Sequence, residues 1–317
     1  MATMLVTGGA GFVGSCLVRR LLADGDEVVV YDNFSTGRLD FLPVTDPRLA
    51  VVDGDIVDEA GLVRIMQQRP PDCVFHLAAI HFIPYCLAHR RETLRVNVEG
   101  TQAVLDACRA ADVPRIVAAS SAAVYGISDR ANSETDLPAP IDIYGASKWF
   151  DEILLRQFQH DTGIACAAAR LFNIYGPHET NPHVIPEVLD QLSRSDDIEV
   201  GNVEVYRDFI YVDDVAAALI QLARLPGLEF GVFNVGTGVE YSVRDIVNAC
   251  AAIVRRPLQI RSVAARRRSV DRQHLRADCS LIARRLGWRA RYDLQTGLAE
   301  TLRPLPAAQP ELELAAA

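Results

Sequence analysis

The stretch GGAGFVG, at residues Gly8–Gly14, follows the short apolar run Met4–Thr7 and decides the fold. Its glycines have the spacing G-x-x-G-x-x-G, and glycine permits a positive φ and lets a backbone approach a pyrophosphate closely. The free N–H groups of a helix that starts here would attract the phosphates. A glycine triplet also occurs in ordinary strand-to-helix turns, so the rest of the chain has to support this interpretation. The motif predicts a dinucleotide site built by Gly8, Gly11, Phe12, Val13 and Gly14.

Strand-like and helix-like segments alternate along the first half of the chain. Short, continuously apolar runs predict strands at Met4–Thr7, Glu27–Tyr31, Leu49–Val52, Cys73–His76, Arg115–Ala119 and Cys166–Leu171. Helical patterns predict helices at Phe12–Ala23, Glu59–Gln68, Glu92–Ala111 and Tyr144–His160. Repeated alternation of this kind is typical of α/β proteins with a doubly wound, parallel Rossmann sheet.

The pattern changes to short, mixed segments after Tyr175–Pro177. This part is expected to form a smaller, discontinuous α/β substrate-binding domain. Two later strand-like pieces, Phe209–Val212 and Gly231–Val235, are expected to return to the main sheet. We therefore predict an NAD-binding Rossmann domain over residues 1–173 with returns near 208–236, a nucleotide-sugar-binding domain over 174–207 and 237–305, and a loosely ordered tail over 306–317.

Composition and charge exclude several classes of protein. The chain has 317 residues and is 50% apolar, which is enough for one large domain or two joined domains. A net charge of −9 argues against a nucleic-acid partner, and no apolar run reaches the ~18 residues of a membrane span. Seven scattered cysteines without a C-x-x-C pair fit reduced cytosolic thiols, and we predict no metal site. Because Met1–Thr7 leads straight into the glycine motif, we expect no signal peptide and a cytoplasmic protein.

Asp32 and Asn33 end the second predicted strand, and Asp32 stands 18 positions after Gly14. A carboxylate at this place accepts hydrogen bonds from the adenine ribose hydroxyls and would repel a 2′-phosphate. Asp32 therefore favours NAD over NADP. Two alternatives stay open: Asp32 could merely cap the turn before Asn33, and the nearby Arg38 could accommodate the extra phosphate of NADP.

Three further segments lie where the predicted strands and helices would meet a cofactor. Asp55 and Ile56 follow the third strand and would bracket the adenine, with Asp55 bonding its exocyclic amine. The fourth strand leads into small residues that let the chain pass close to the cofactor, namely Leu77, Ala78 and Ala79. Asn97 lies inside a helical stretch, where asparagine is unfavourable. It either contacts the cofactor or ties the helix to a neighbouring loop through a buried hydrogen bond.

Tyr144 and Lys148 are four residues apart, so they share one face of the predicted helix. A free tyrosine has a pKa near ~10. A nearby ammonium and a positive nicotinamide would favour the phenolate and bring the pKa of Tyr144 closer to neutrality. Tyr144 would then take a proton from a sugar hydroxyl while hydride leaves the same carbon for NAD. Lys148 would also bond the nicotinamide ribose, and Ser121, at the end of the fifth strand, would share the proton and orient the hydroxyl.

A Y-x-x-x-K pair alone is common on helix surfaces, but here it occurs with a dinucleotide motif and several other markers. These are Tyr31–Asn33, Gly54–Ile56, His76–Ala79, Ser120–Gly126, Arg170–Asn173 and Arg207–Asp214. With this set the chain resembles the extended short-chain dehydrogenase/reductases, and most closely NAD-dependent sugar-nucleotide epimerases of the UDP-glucose 4-epimerase type. The resemblance covers about residues 4–300.

The resemblance implies a nucleotide-sugar substrate, UDP-linked in most such enzymes, and further site residues. Asn173 and Arg207 match positions that contact the nucleotide diphosphate, and Arg268 and Asp271 match a segment that binds the diphosphate and the uridine ribose. An arginine beside a pyrophosphate makes charge-assisted, often bidentate hydrogen bonds. His183 falls where the family often has asparagine. The family also implies a homodimer formed through two helices, here Glu92–Ala111 and Tyr144–His160. Their apolar residues serve either this interface or the monomer core, namely Val96, Val104, Leu105, Leu154, Leu155 and Phe158.

The resemblance also narrows the reaction. Family members that dehydrate or decarboxylate usually carry acidic residues beside the catalytic Ser or Thr, where this chain has Ala122 and Ala123. Epimerisation at C4 through a transient 4-keto intermediate needs only Tyr144, Ser121 and NAD. Two other readings stay open: a one-way NAD(P)-dependent nucleotide-sugar reductase or dehydrogenase, and a non-catalytic, dinucleotide-sensing protein of the same fold.

Two positions bear on the sugar. His81 lies in an unusual segment, Ile80–Cys86, and either touches the substrate or the cofactor or is a packed loop residue. If cationic, His81 would favour a uronate over a neutral hexose. Leu275 lies where the family's pocket-size gate is expected, and a bulky residue there would disfavour N-acetylated sugars.

Overall fold

The computed structural model describes residues 1–263, 266 and 272–303. Its strands are β1 (Thr3–Thr7), β2 (Glu27–Asp32), β3 (Leu49–Asp53), β4 (Cys73–His76), β5 (Arg115–Ser121), β6 (Ala165–Leu171), β7 (Asn173–Tyr175), β8 (Asp197–Val200), β9 (Tyr206–Tyr211), β10 (Phe230–Val235), β11 (Glu240–Ser242) and β12 (Gln259–Ser262). Its α-helices are α1 (Phe12–Ala23), α2 (Glu59–Gln68), α3 (Ile83–Ala88), α4 (Arg90–Leu94), α5 (Gly100–Ala110), α6 (Ile143–Thr162), α7 (Val184–Leu192), α8 (Val212–Ala223), α9 (Val243–Val254), α10 (Ser280–Leu286) and α11 (Leu294–Thr301). The predicted tail, residues 306–317, lies outside the described residues.

Seven parallel strands form the central sheet in the order β10-β6-β5-β4-β1-β2-β3. The strand order reverses beside β1, since β2 pairs with one of its edges and β4 with the other. In such sheets, ligands bind in the crevice at the carboxyl ends of the strands, where the order reverses. The glycine motif follows β1 and lies at that crevice. The predicted doubly wound fold class is confirmed.

Both faces of the central sheet are covered by helices, which explains the continuously apolar strands. Successive residues of β1 point to opposite faces. Val6 packs with Leu17 of α1 and Leu219 of α8, whereas Leu5 packs with Leu62 of α2 on the other side. All five side chains are fully buried. Burying each of them is worth about 1.5–3 kcal/mol, so both faces of the strands contribute to stability.

A smaller group of elements forms its own core. It contains a three-stranded sheet in the order β11-β9-β7 and the parallel pair β12-β8. Helices α7, α9 and α11 pack against these strands through buried apolar side chains that include Ile185, Ile198, Phe209, Ile246 and Leu298. These elements come from separate stretches of the chain, as expected for a discontinuous substrate-binding unit.

One of the two predicted returns to the central sheet is wrong. The segment Gly231–Val235 does return, as part of β10, where Val235 lies opposite Leu171 of β6. The segment Phe209–Val212 belongs mostly to β9, which pairs with β7 and β11 instead. The physical reason is that β10 occupies the sheet edge beside β6. The chain leaves β6 and starts β7 two residues later, and β7 then offers its own edge to β9.

The helix predicted at Glu92–Ala111 is not one regular α-helix. It begins at Arg90 as α4, continues through a π-helical segment at Arg95–Glu99, and ends as α5. Single π-helical turns inside α-helices often mark functional sites. Among the residues that the structure describes, none of the helices is long and apolar enough to cross a membrane.

Candidate active site

The glycine turn after β1 is too tight for side chains. Gly8 has a φ of +70°, and a Cβ on it would lie 2.7 Å from the backbone nitrogen of Ala78. A Cβ on Gly14 would lie 2.1 Å from the carbonyl oxygen of Gly8. Gly11 is the N-cap of α1, and no side chain caps that helix end. The first N–H groups of α1 are thus left for an anionic ligand, which fits the predicted pyrophosphate.

The segment Leu77–Ala79 passes close to the glycine turn, and its predicted approach to the cofactor stays a prediction. The backbone nitrogen of Leu77 donates to the carbonyl oxygen of Thr7 over 3.1 Å, which holds this segment against the glycine turn. Phe12 and Val13, the first residues of α1, are half-buried and pack against the apolar core of the smaller unit. The turn is therefore fixed from both sides.

Asp32 ties the glycine turn to the end of β2. One carboxylate oxygen accepts from the backbone nitrogen of Ala10 over 2.9 Å, and the other accepts from that of Phe34 over 2.9 Å. The turn-capping role is therefore real, but each oxygen keeps a lone pair for a ribose hydroxyl. Burial raises the pKa of Asp32, and these two hydrogen bonds oppose that shift. Sequence reasoning missed Gly37, where a Cβ would lie 2.9 Å from Asp32 Oδ1.

The guanidinium of Arg38 is paired with a neighbouring carboxylate, so it is not free to bind the 2′-phosphate of NADP. Its Nε and Nη2 donate to the two carboxylate oxygens of Asp40 over 2.9 and 2.8 Å. This bidentate pair offsets the charge of the guanidinium. The arrangement leaves Asp32 as the dominant charge at the end of β2 and favours NAD.

Asp55 and Ile56 are positioned by their own neighbours. The two carboxylate oxygens of Asp55 accept from the side chain of Asn33 and from the backbone of Val57, each over 3.1 Å. Ile56 is buried, and a Cβ on Gly100 would lie 2.6 Å from its Cδ1. The side chain of Ile56 therefore belongs to the core, so a contact with adenine would come from its backbone.

Asn97, in the π-helical segment, ties three parts of the chain together. Its Oδ1 accepts from the backbone nitrogen of Ile80 over 2.8 Å. Its Nδ2 donates to the carbonyl oxygen of Ile80 and to Ser147 Oγ, each over 3.0 Å. Both amide protons are used, so Asn97 has none left to donate to a cofactor. The structure matches the predicted tie to a neighbouring loop.

Tyr144, Lys148 and Ser121 come together at the carboxyl end of β5. Helix α6 starts at Asp142, whose Oδ1 accepts from the backbone nitrogen of Gly145 over 2.8 Å. This N-cap places Tyr144 in the first helical turn and Lys148 one turn later. The Ser121 hydroxyl, at the end of β5, hydrogen-bonds the Tyr144 phenol. The predicted constellation of phenol, ammonium and hydroxyl is thus assembled in space.

The pKa of Tyr144 is raised in the protein without a cofactor, and the predicted lowering, which includes the positive nicotinamide, stays a prediction. Burial raises the pKa of Tyr144, and the opposing effects of Lys148 and Ser121 do not cancel that shift. Lys148 acts in the predicted direction, since its charge favours the phenolate. Burial outweighs it because an ionised phenol in a closed site loses its hydration.

Lys148 forms a buried ion pair that sequence reasoning missed. Its Nζ lies 3.0 Å from Asp151 Oδ2, and both side chains are only 4% exposed. Burial lowers the pKa of Lys148, but Asp151 and Tyr144 more than compensate, so the net shift is upward. The sequence shows the i, i+3 spacing of Lys148 and Asp151, but it does not show that both side chains are buried. Lys148 is also the only lysine of the chain.

His81 joins the segment after β4 to the segment before α7. Asn181 Nδ2 donates to His81 Nε2 over 3.0 Å, and the ring of His183 lies 6.1 Å from the His81 ring. Glu179 approaches His183 Nδ1 to 3.6 Å. His81 is an exposed residue, and desolvation by neighbouring protein atoms together with the charge of His183 lowers its pKa, while Glu179 opposes that shift. The lowered pKa argues against a cationic His81, and its role toward the sugar stays a prediction.

The residues matched to the nucleotide lie on neighbouring strands of the smaller unit. Asn173 begins β7, which pairs in parallel with β9, the strand that carries Arg207. Arg207 Nη1 donates to the backbone oxygen of Arg272 over 2.8 Å. Two other predicted substrate residues lie outside the described residues, namely Arg268 and Asp271.

Two residues that follow position 271 contact the loop after Ser121. Arg272, which sequence reasoning missed, is buried and donates to the backbone oxygens of Ala123 and Tyr125 over 3.1 and 2.8 Å. Leu275 packs in one apolar cluster with Ala122. The position expected to gate the pocket is therefore in contact with the catalytic loop.

With this geometry in view, comparisons with known proteins identify the family. Residues 5–301 match the family described as GDP-mannose 4,6 dehydratase. The chain belongs to this family of extended short-chain dehydrogenases. Its relatives include the UDP-glucose 4-epimerase of Mycolicibacterium smegmatis, which is 34% identical over 94% of this chain and 96% of the relative. The predicted resemblance is confirmed.

Solved structures of this dehydrogenase family superpose closely. UDP-glucose 4-epimerase from Brucella ovis in complex with NAD has a TM-score of 0.86 at 32% identity, covering 94% of this chain and 96% of that chain. MoeE5 in complex with UDP-glucuronic acid and NAD has a TM-score of 0.84 at 34% identity, covering 94% of this chain and 97% of that chain.

The dehydratase activity named in the family's description does not fit the catalytic loop of this chain. Ala122 and Ala123 follow Ser121 in a short 3₁₀ turn and are only 3% and 6% exposed. A buried methyl group can neither donate nor accept a proton. The loop beside Ser121 therefore lacks the carboxylic acid that loss of water would require.

Proposed function

We propose that this protein is an NAD-dependent nucleotide-sugar 4-epimerase that acts on a UDP-linked hexose or hexuronate. The single observation that carries the proposal is the hydrogen bond of Tyr144 with Ser121 under the charge of Lys148, beside a loop that has alanines where dehydratases have acids. That set can move a proton at one hydroxyl but offers no second acid for elimination. The named epimerases at 30% identity or more agree with it.

The residues around the glycine turn fit NAD. A Cβ on Gly8 or Gly14 would clash with neighbouring backbone atoms, so the turn packs this closely only with glycine. The close packing brings the backbone N–H groups of α1 to the crevice. Asp32 would accept hydrogen bonds from the adenine ribose hydroxyls, and Lys148 would bond the nicotinamide ribose. When bound, NAD supplies a hydride acceptor that can also return the hydride.

The chain's own residues handle the proton. Tyr144 Oη takes the proton of the 4-hydroxyl, directly or through Ser121 Oγ, as C4 gives up its hydride and becomes a ketone. The keto sugar turns over in the pocket and presents its opposite face. C4 then regains the hydride, and Tyr144 returns the proton to O4. Lys148 favours the phenolate form that Tyr144 needs before it takes the proton and regains after it returns the proton.

A substrate panel tests the function. Purified protein with NAD is incubated separately with UDP-glucose, UDP-galactose, UDP-N-acetylglucosamine and UDP-glucuronate, and products are separated by chromatography and weighed. We expect a new peak of unchanged mass from UDP-glucose, UDP-galactose or UDP-glucuronate. A product lighter by water or carbon dioxide would overturn the argument from Ala122 and Ala123. Stoichiometric formation or consumption of NADH would support a one-way dehydrogenase or reductase instead.

We also propose that the chain forms a homodimer through α5 and α6. Of the contacts predicted from sequence, Val104, Leu105, Leu155 and Phe158 are buried in the monomer core, so they do not serve the interface. The exposed apolar residues of α6 are instead Trp149, Phe150 and Ile153, at 39%, 47% and 45%. A groove beside Phe150 is lined by the apolar residues Val57, Val98, Ala103 and Leu154 and, at its polar side, by Glu59, Glu99, Gln102 and Asp106.

Phe150→Glu is expected to convert a dimer into a monomer, because a carboxylate at the centre of an apolar contact would be buried without a partner. The measurement is the mass in solution by light scattering after gel filtration. Ile127→Glu is the matched control, since Ile127 is an exposed apolar residue on a loop, at 67%. An unchanged mass for Phe150→Glu would remove α6 from the interface.

We further propose that the protein acts in the cytoplasm. We also propose that the Rossmann part and the nucleotide-sugar-binding part divide as the sequence predicts, except that β9 belongs to the smaller part. All seven cysteines are unpaired, as expected in a reducing compartment. The separate apolar core beneath β9 supports the division into two parts.

A further inference from the structure

Lys148 is the only lysine among the 317 residues, although the chain has 32 basic residues in all. Arginine therefore serves at every other cationic position. A guanidinium is planar and always charged, whereas an ammonium is compact and loses its proton when it is buried alone. The ammonium of Lys148 is also among the most buried charged groups, so a neighbouring group must keep it protonated.

Asp151 is placed to do this. Its Oδ2 lies 3.0 Å from Lys148 Nζ, one turn along the inner face of α6. Its other oxygen, Oδ1, is buried and has no hydrogen-bond partner. A carboxylate left half-satisfied in the interior is costly unless an opposite charge pairs with it, as Lys148 does here.

The other titratable groups around Lys148 cannot replace Asp151. Glu152 is engaged with Arg170, over 2.8 and 2.9 Å. His76, on β4, is buried between two hydroxyls, and burial together with Lys148 lowers its pKa to about 3, so it is uncharged. His81 can carry only a positive charge or none, and burial raises the pKa of the Tyr144 phenol, so neither side chain can replace the carboxylate.

One hydroxyl of α5 also faces the pair. Thr101 Oγ1 is already bonded to the carbonyl oxygen of Asn97 over 2.5 Å and to His76 Nε2 over 3.0 Å. Thr101 also hydrogen-bonds the Asp151 side chain, and with Lys148 it opposes the burial that raises the pKa of Asp151 to about 6. Asp151 is the one carboxylate that the described part of the chain places in direct contact with the ammonium.

We propose that Asp151 is a positioning residue for the reaction, which keeps the Lys148 ammonium charged and fixed beside Tyr144. This rests on the proposed function, because it assigns Asp151 a part in the Tyr144 proton transfer. Without Asp151, burial would act on Lys148 unopposed. The side chain would lose its proton more easily, and Tyr144 would lose the charge that stabilises its phenolate.

A single lysine makes the test direct. Protein grown with ¹³C,¹⁵N-lysine has one labelled side chain, so the ε-carbon signal of Lys148 needs no assignment, and its shift against pH gives the protonation midpoint. In the wild type we expect a midpoint above the ordinary value of about 10.4. In Asp151→Asn we expect it to move below the wild-type value, and in Asp151→Glu, which keeps the charge, to return toward it.

Two results would overturn the proposal. One is a wild-type midpoint below the ordinary lysine value, which needs no variant and so is decisive even if Asp151→Asn does not fold. The other is an unchanged midpoint in a folded Asp151→Asn. Asp161→Asn is the control, because Asp161 is an exposed carboxylate near the end of the same helix.

The consequence for catalysis is read from the pH profile of kcat. In Asp151→Asn we expect the alkaline loss of activity to begin at lower pH than in the wild type, with the Asp161→Asn profile unchanged. A uniform loss of activity at all pH values would indicate a merely structural role. The NMR titration does not depend on turnover. If no nucleotide sugar is epimerised, the proposed function fails while the contact between Asp151 and Lys148 is still tested.

Discussion

Tyr144→Phe is expected to abolish epimerisation while leaving NAD binding intact. The phenol is the group that touches Ser121 and receives the charge effect of Lys148, so no neighbour can take over its proton transfer. A positioned acid–base group contributes about 10²–10⁴ in rate, and kcat should fall by that factor. Phenylalanine keeps the ring, so the packing around the start of α6 is preserved. The measurements are kcat on the identified nucleotide sugar and the NAD released per chain on denaturation.

The control for this substitution removes a different phenol hydroxyl. Tyr85 is exposed, and its hydroxyl donates to Glu92 over 2.9 Å at the surface. Tyr85→Phe should therefore leave both kcat and NAD content unchanged. Epimerisation by Tyr144→Phe within tenfold of the wild-type rate would contradict the assignment of Tyr144.

Much of the fold could be predicted because its signals are local. A strand buried on both faces must be apolar at every position, and β1 shows why: Leu5 and Val6 face opposite layers of helices. The misplaced segment at Phe209–Val212 has the same local pattern. Which sheet edge it joins depends on the position of β10, and this depends on contacts far apart in the sequence.

The candidate active site likewise has features that the sequence predicts and features that it does not. The glycine spacing and the pair of Tyr144 and Lys148 are local, so sequence reasoning found them and the structure brings them to one crevice. The partners that set their chemistry are not local or depend on burial. Asn181 meets His81 from 100 residues away. The direction of the Tyr144 pKa shift depends on burial, which a spacing rule does not include.

Gly14→Ala is expected to weaken NAD binding by about ten- to a hundredfold. The new Cβ would lie 2.1 Å from the oxygen of Gly8 and 2.7 Å from the Cα of Gly9, and both are backbone atoms that cannot rotate away. The turn must therefore open. Overpacking of this kind costs about 1–3 kcal/mol, and each 1.4 kcal/mol lost from binding is tenfold in affinity. The measurement is the Kd for NAD by titration calorimetry.

The control for Gly14→Ala is a glycine-to-alanine substitution at the other end of α1, which distinguishes an effect on NAD binding from an effect on stability. Gly25 has a φ of +91°, and a Cβ on it would meet nothing within 4 Å. Gly25→Ala should lower Tm through backbone strain, since only glycine adopts that conformation freely. Its affinity for NAD should stay at the wild-type value, because the turn that follows β1 is untouched. If Gly14→Ala bound NAD within twofold of the wild type, the glycine turn would not be the place where the pyrophosphate is held.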